Sequence, residues 1–93
     1  MRLKKLDRRM TGYSDFDFII EFTSSKDDTR KFVECRRWCI EQFSNSVEYS
    51  IWEDFPEFRN EKWSWEREKY DRYLRCRIYL NEQASQWFSI KWL

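Results

Sequence analysis

The sequence predicts an α+β domain, an antiparallel sheet of three or four strands with two helices on one face. Three observations predict it. Apolar residues recur at every second position in three short segments, a stripe at helical spacing runs between the first two, and a capped helical segment follows the third. With 93 residues the chain has room for one domain. Its 20% aromatic content supplies the large side chains a domain this small needs to bury enough surface.

The first strand is read from residues 13–22. Phe16, Phe18, Ile20 and Phe22 alternate there with Asp15, Asp17, Ile19 and Glu21, as a half-buried strand requires. Thr23, Ser24 and Ser25 break the alternation, and Ser25 with Asp28 three residues on forms a capping-box-like helix start. A helix is expected from Lys26 to Phe43. Phe32, Cys35, Cys39, Ile40 and Phe43 make its apolar stripe, with Val33 at the edge and Trp38 on the flank. Arg36 falls inside that stripe, where a long side chain snorkels, pairs with an acid or serves as a functional cation.

Val47–Phe55 alternates again and is read as the second strand, with Val47, Tyr49, Ile51 and Phe55 on one face and Pro56 ending it. The third strand is expected from Arg72 to Leu80. Its even face (Leu74, Cys76, Ile78, Leu80) is apolar, and its odd face carries Tyr73, Arg75, Arg77 and Tyr79. Asn81 then caps a short helix to about Ser89 with an extended tail, although Phe88, Ile90 and Trp92 also fit a brief fourth strand. A right-handed crossover through the first helix leaves room for the third strand between the first two. That order is a ferredoxin-like split β-α-β arrangement, complete or truncated depending on the last segment.

Charge divides the chain into a basic arm, residues 1–11, and a domain, residues 12–93. The arm holds Arg2, Lys4, Lys5, Arg8 and Arg9 against the single acid Asp7, and the remainder carries a mild excess of acids. An apolar run long enough for a membrane span is absent, as is the apolar core of a signal peptide. The three cysteines do not suit a secreted disulfide framework, so a cytoplasmic location is expected.

Composition also narrows the chemistry. With no histidine the chain has no imidazole base and no imidazole metal ligand. Gly12 is its one glycine, so no phosphate-cradling or dinucleotide loop is encoded. Cys35, Cys39 and Cys76 converge in this fold, but among Phe, Ile and Leu they read as small apolar fillers rather than zinc ligands. No metal, cofactor, small-molecule ligand or enzymatic activity is expected.

Two surfaces remain. The connection from Pro56 to Asp71 is long for a hairpin loop and carries Phe58, Arg59, Trp63 and Trp65. Tryptophan with arginine is the composition of interface hot spots, so these four residues are the candidate partner-binding set, the alternative being a self-packed lid. The other surface is the odd face of the third strand. With the arm it makes a candidate nucleic-acid site of Lys4, Lys5, Arg8, Arg9, Tyr73, Arg75 and Arg77, in which rings stack bases and cations meet phosphate. Acids on neighbouring strands argue for cross-strand ion pairing there instead. Protein binding is the leading expectation, with nucleic-acid binding and self-association as alternatives.

The C-terminal stretch Arg77-Ile78-Tyr79-Leu80-Asn81-Glu82, then Ala84 and Phe88-Ser89-Ile90-Lys91-Trp92, runs from a strand through a cap into a bulky apolar and basic tail. It resembles the ending of small uncharacterised proteins from tailed bacteriophages. The resemblance covers about a fifth of the chain and carries over no functional residue. It implies an accessory or host-directed role in an infected bacterial cytoplasm.

Overall fold

A computed structural model describes residues 1–70 and 73–93. Among these residues the fold is α+β, with four antiparallel strands and two α-helices: β1 Leu3–Lys5, β2 Phe18–Phe22, α1 Lys26–Phe43, β3 Trp63–Tyr70, β4 Tyr73–Leu80 and α2 Glu82–Trp92. The strand order is β1-β2-β4-β3. Pairing places Ile20 opposite Ile78 and Ile78 opposite Trp65, so one face collects the even residues of β2 and β4 with the odd residues of β3.

That face carries the main core. Ile20, Phe22, Trp63, Cys76, Ile78 and Leu80 meet Phe32, Cys35 and Cys39 from α1 and Ala84 and Phe88 from α2. Both helices therefore cover the same side. Fully burying a side chain of this size stabilises the fold by about 1.5–3 kcal/mol, so this layer is the principal stabilising contact.

α1 spans the range expected for it. The Ser25 side chain accepts the Asp28 backbone N–H at 3.1 Å, and the Asp28 carboxylate accepts the Thr23 N–H at 2.8 Å. Two donors at the helix entrance are thus satisfied, the Asp28 carboxylate reaching past the Ser25 cap to the Thr23 N–H rather than back to Ser25 itself. Arg36 resolves by stacking: its guanidinium lies 4.3 Å from the Trp65 ring centroid. In α2 the Asn81 side chain accepts the Ala84 N–H at 2.8 Å, and the helix continues to Trp92. The expected extended tail is helical, and no strand forms over residues 87–93.

Three sequence expectations are revised. Val47–Phe55 is not a strand; it holds a 3₁₀ turn at Tyr49–Ile51 and touches the sheet through an isolated bridge between Glu48 and Trp65. In a 3₁₀ turn residues three apart lie on one side. Tyr49 and Trp52 accordingly pack on the sheet, while Ile51 and Phe55 face outward. The connection read as a loop from Pro56 contains a second 3₁₀ turn, Pro56–Phe58, and then the eight-residue strand β3. Its end at Asp71, and the start of the next strand at Arg72, lie outside the described residues. Finally, Leu3–Lys5, inside the stretch read as an arm, pairs with Phe18–Ile20 as the edge strand β1. β4, Tyr73–Leu80, does lie centrally, but its far neighbour is β3 rather than residues 47–55.

The second face of the sheet is half covered. Leu6, Phe16, Ile19, Trp52 and Tyr79 form a smaller cluster there, with Met10, Val47 and Tyr49 at its margin. Ile19, expected among polar neighbours, is buried by this cover. Gly12 makes the close approach possible: its φ is +93°, and a Cβ there would lie 2.7 Å from the Tyr79 ring.

Candidate functional site

The helix-free face divides along β4. At the Tyr79 end two irregular segments, residues 6–17 and 46–59, lie over the strands. At the Tyr73 end the face is open.

The turn after α1 is fixed by side chains from the start of β3. Trp63 Nε1 donates to the Ser44 carbonyl at 2.8 Å, and Trp65 Nε1 to Ser46 at 3.1 Å. The Ser64 hydroxyl donates to Val47 at 2.8 Å, and Asn60 Nδ2 to Phe43 at 2.7 Å. These bonds route the chain back across the edge of β3 and hold residues 48–59 outside the sheet. Trp52 and Tyr49 anchor that segment through Phe16, with ring centroids at 5.3 and 5.9 Å.

What the anchors leave outside is an aromatic and acidic protrusion. Ile51, Phe55 and Phe58 are exposed, Phe58 to 57%, and the Phe55 and Phe58 rings lie 6.3 Å apart. Glu48, Glu53, Asp54 and Glu57 stand in the same stretch, and no base occurs until Arg59. Arg59 folds back, its Nε donating to the Trp52 carbonyl at 2.9 Å and its guanidinium 5.0 Å from the Trp52 ring centroid.

Beside the protrusion lies a cavity of about 450 Å³ lined by Asp15, Tyr49, Trp52, Glu53, Asp54, Arg59 and Glu66, among others. The Tyr49 hydroxyl donates to Asp15, and the Tyr79 hydroxyl to Glu66 at 2.7 Å. Burial, then the hydrogen bond to a carboxylate, raises both phenols above their ordinary value. Burial also raises the Glu66 carboxyl, against the opposing pull of the Tyr79 hydroxyl and Arg77.

The expected partner-binding set is therefore divided. Phe58 and Arg59 belong to the protrusion. Trp63 is fully buried in the main core and Trp65 half-buried beneath Arg36, so neither presents a contact surface. The reason is period-2 alternation in WSWEREKY, which turns both tryptophans toward the helices.

The expected nucleic-acid set is divided as well. Lys4 lies on β1 and donates to Glu21 at 3.1 Å, and Lys5 is exposed beside it. Arg8 and Arg9 are in the turn after β1, where Arg9 lies 3.6 Å from Asp7. At the far end of β4, about 20 Å from Tyr79 by the rise of a strand, Tyr73 and Arg75 are exposed beside a cavity of about 700 Å³. Arg77 is held between Glu68 at 3.1 Å and Glu66 at 3.6 Å, which is cross-strand ion pairing. Tyr79 is buried and presents no ring for stacking.

All three thiols are buried in the main core, and burial raises them, Cys35 to about 12. Sequence reasoning missed Ile51 and Phe55 as surface residues because it puts them on the apolar face of a strand, and it did not group Glu53 and Asp54 with them. The signal was present in the run Glu53-Asp54-Phe55-Pro56-Glu57-Phe58, whose acids and proline suit a turn better than a buried edge.

Fold and surface together define the chain as a small α+β domain with an acidic, aromatic protrusion beside its sheet. Compared with protein-family models, curated proteins and solved structures, the chain has no match. Among the described residues no helix is long and apolar enough to cross a membrane.

Proposed function

We propose that the chain is a small non-enzymatic protein-interaction module whose contact surface is the protrusion of residues 49–59. One observation carries this reading: Ile51, Phe55 and Phe58 are exposed in one short segment that Trp52 and Tyr49 anchor on the sheet face. Exposed rings on an anchored segment lose little freedom on binding, which is how a small surface reaches useful affinity. Buried, protonated thiols and a chain without histidine support the non-enzymatic part of the reading.

The test is affinity capture from a bacterial lysate, run with the native chain and with Phe55→Ser/Phe58→Ser. Both side chains are exposed, so the variant keeps its stability and loses the captured protein. Retained capture refutes the surface.

A second reading, nucleic-acid binding, is favoured by Arg75, which is exposed and forms no ion pair among the described residues, beside the exposed Tyr73. Oligonucleotide affinity that falls steeply with salt would support it, and no retention at low salt would remove it. We read the strand order as a ferredoxin-like variant whose outer edge is filled from the N-terminus. We assign the chain to a bacteriophage accessory role in the host cytoplasm on its C-terminal resemblance alone, and genomic neighbourhood tests that assignment.

A further inference from the structure

We propose that the cavity beside the protrusion is a recognition site for a basic side chain, arginine before lysine, carried by the protein partner. The proposal rests on the reading of residues 49–59 as the contact surface and names the chemistry that surface selects.

Four observations converge. The cavity, about 450 Å³, has room for one long side chain. Its walls include Tyr49 and Trp52, and aromatic faces attract organic cations. Asp15, Glu53 and Asp54 line it, and none forms an ion pair among the described residues. These carboxylates do not gather as a metal ion would require, so the charge they offer suits an extended cation.

The fourth observation is that a guanidinium is already there. Arg59 lies 5.0 Å from the Trp52 ring centroid and is tied to the backbone, among the described residues, by one hydrogen bond from Nε to the Trp52 carbonyl. The cavity therefore already holds this chemical group beside an aromatic ring, which favours arginine over the compact ammonium of lysine. Trp52, only 7% exposed, also holds an indole N–H with no acceptor among the described residues. Glu53 and Asp54 place the cavity in the same short segment as the exposed Ile51, Phe55 and Phe58, which argues for a side chain on a polypeptide rather than a free cation. Arg59 then acts as an internal occupant that the incoming arginine displaces.

The experiment is a titration followed by two-dimensional NMR of the backbone amides and tryptophan indoles. The probes are N-acetyl-argininamide, its citrulline counterpart, and a glycine- and serine-flanked hexapeptide with one arginine. The arginine probes should give saturable shifts at the Trp52 indole and the Tyr49 amide, and citrulline none. Glu53→Gln and Asp54→Asn should each weaken binding about fivefold, the scale of one exposed charge contact. Arg59→Gln should strengthen it by removing the competitor.

A hexapeptide that binds more tightly than the blocked amino acid identifies a polypeptide source; equal affinity identifies a free small cation and overturns the partner assignment. Absence of saturation through the millimolar range, equal response to citrulline, or weaker binding after Arg59→Gln overturns the site. If the titration is flat while Phe55→Ser/Phe58→Ser still abolishes capture, the contact surface stands and this inference falls. If the cavity takes arginine but that double variant still captures its partner, the surface reading falls instead.

Discussion

Replacing Trp63 by alanine is the most direct test of how this domain is held together. The side chain is wholly buried between β3 and the helices, and its indole donates to the Ser44 carbonyl at 2.8 Å. Truncating a buried aromatic costs about 3–5 kcal/mol through lost transfer energy and the cavity left behind. The lost hydrogen bond adds little, because Ser44 is exposed and its carbonyl keeps a contact from Asn60 at 3.4 Å. A domain of this length is stable by about 5–14 kcal/mol, so the substitution removes a large share of the total. Each kcal/mol shifts Tm by about 4–8 °C at this size, and a fall of at least about 12 °C is expected. Urea and thermal denaturation followed by circular dichroism would measure it. Trp63→Phe, which keeps a ring and loses the N–H, should cost about 1–2 kcal/mol. A change within about 1 kcal/mol for Trp63→Ala would refute the burial argument and return Trp63 to the surface. Loss of partner capture in a Trp63 variant therefore reports unfolding, whereas loss in a Phe55 or Phe58 variant reports the interface.

Three further outcomes follow from the geometry. Gly12→Ala should destabilise by about 2–4 kcal/mol in the same denaturation assay, because φ is +93° and the new Cβ meets a fully buried Tyr79 ring. The Thr23 N–H and hydroxyl hold the Asp28 carboxyl below its ordinary value. Its contribution is present above the unfolded-state pKa and is lost as pH falls through the lower folded value, so Asp28→Asn should flatten the acid limb of a urea-midpoint profile. The thiols of Cys35, Cys39 and Cys76 are buried and pushed upward, so Ellman's reagent should label them only as the chain unfolds.

Much of the fold was legible in the sequence. The alternation of Phe18, Ile20 and Phe22, the Ser25 cap and the stripe of Phe32, Cys35 and Cys39 each report one local rule without competition, and α1 begins and ends where they place it. β3 was hidden because Glu66, Arg67, Glu68 and Lys69 look like loop residues. Their charges are tolerable because Glu66 and Glu68 pair with Arg77 across the sheet, a fact of tertiary register that no local pattern carries. The false strand at residues 47–55 has the converse cause. Its period-2 pattern was genuine, but the residues that pack are Tyr49 and Trp52, three apart, selected by a ring pocket on Phe16 and Tyr79. β1 carries Lys4 and Lys5 in only three residues and offers no apolar repeat to detect.

The candidate site was half visible. Composition singles out Phe58 and Arg59, which are exposed, and groups Trp63 and Trp65 with them although these point inward. Aromatic residues near charges do not declare which side of a strand they occupy until the strand itself is recognised.

The bridge between Glu48 and Trp65 bears on solubility. An unshielded strand border is a template for stacking further chains, the first step toward fibrous deposits. Here the chain lays its own backbone against β3 at Trp65, and the Glu48 carboxylate occupies the Arg67 N–H at 2.9 Å. The opposite border, β1, is three residues long and bears two lysines. Among the described residues, a polypeptide this rich in rings thus shortens both of the borders on which a second copy could build.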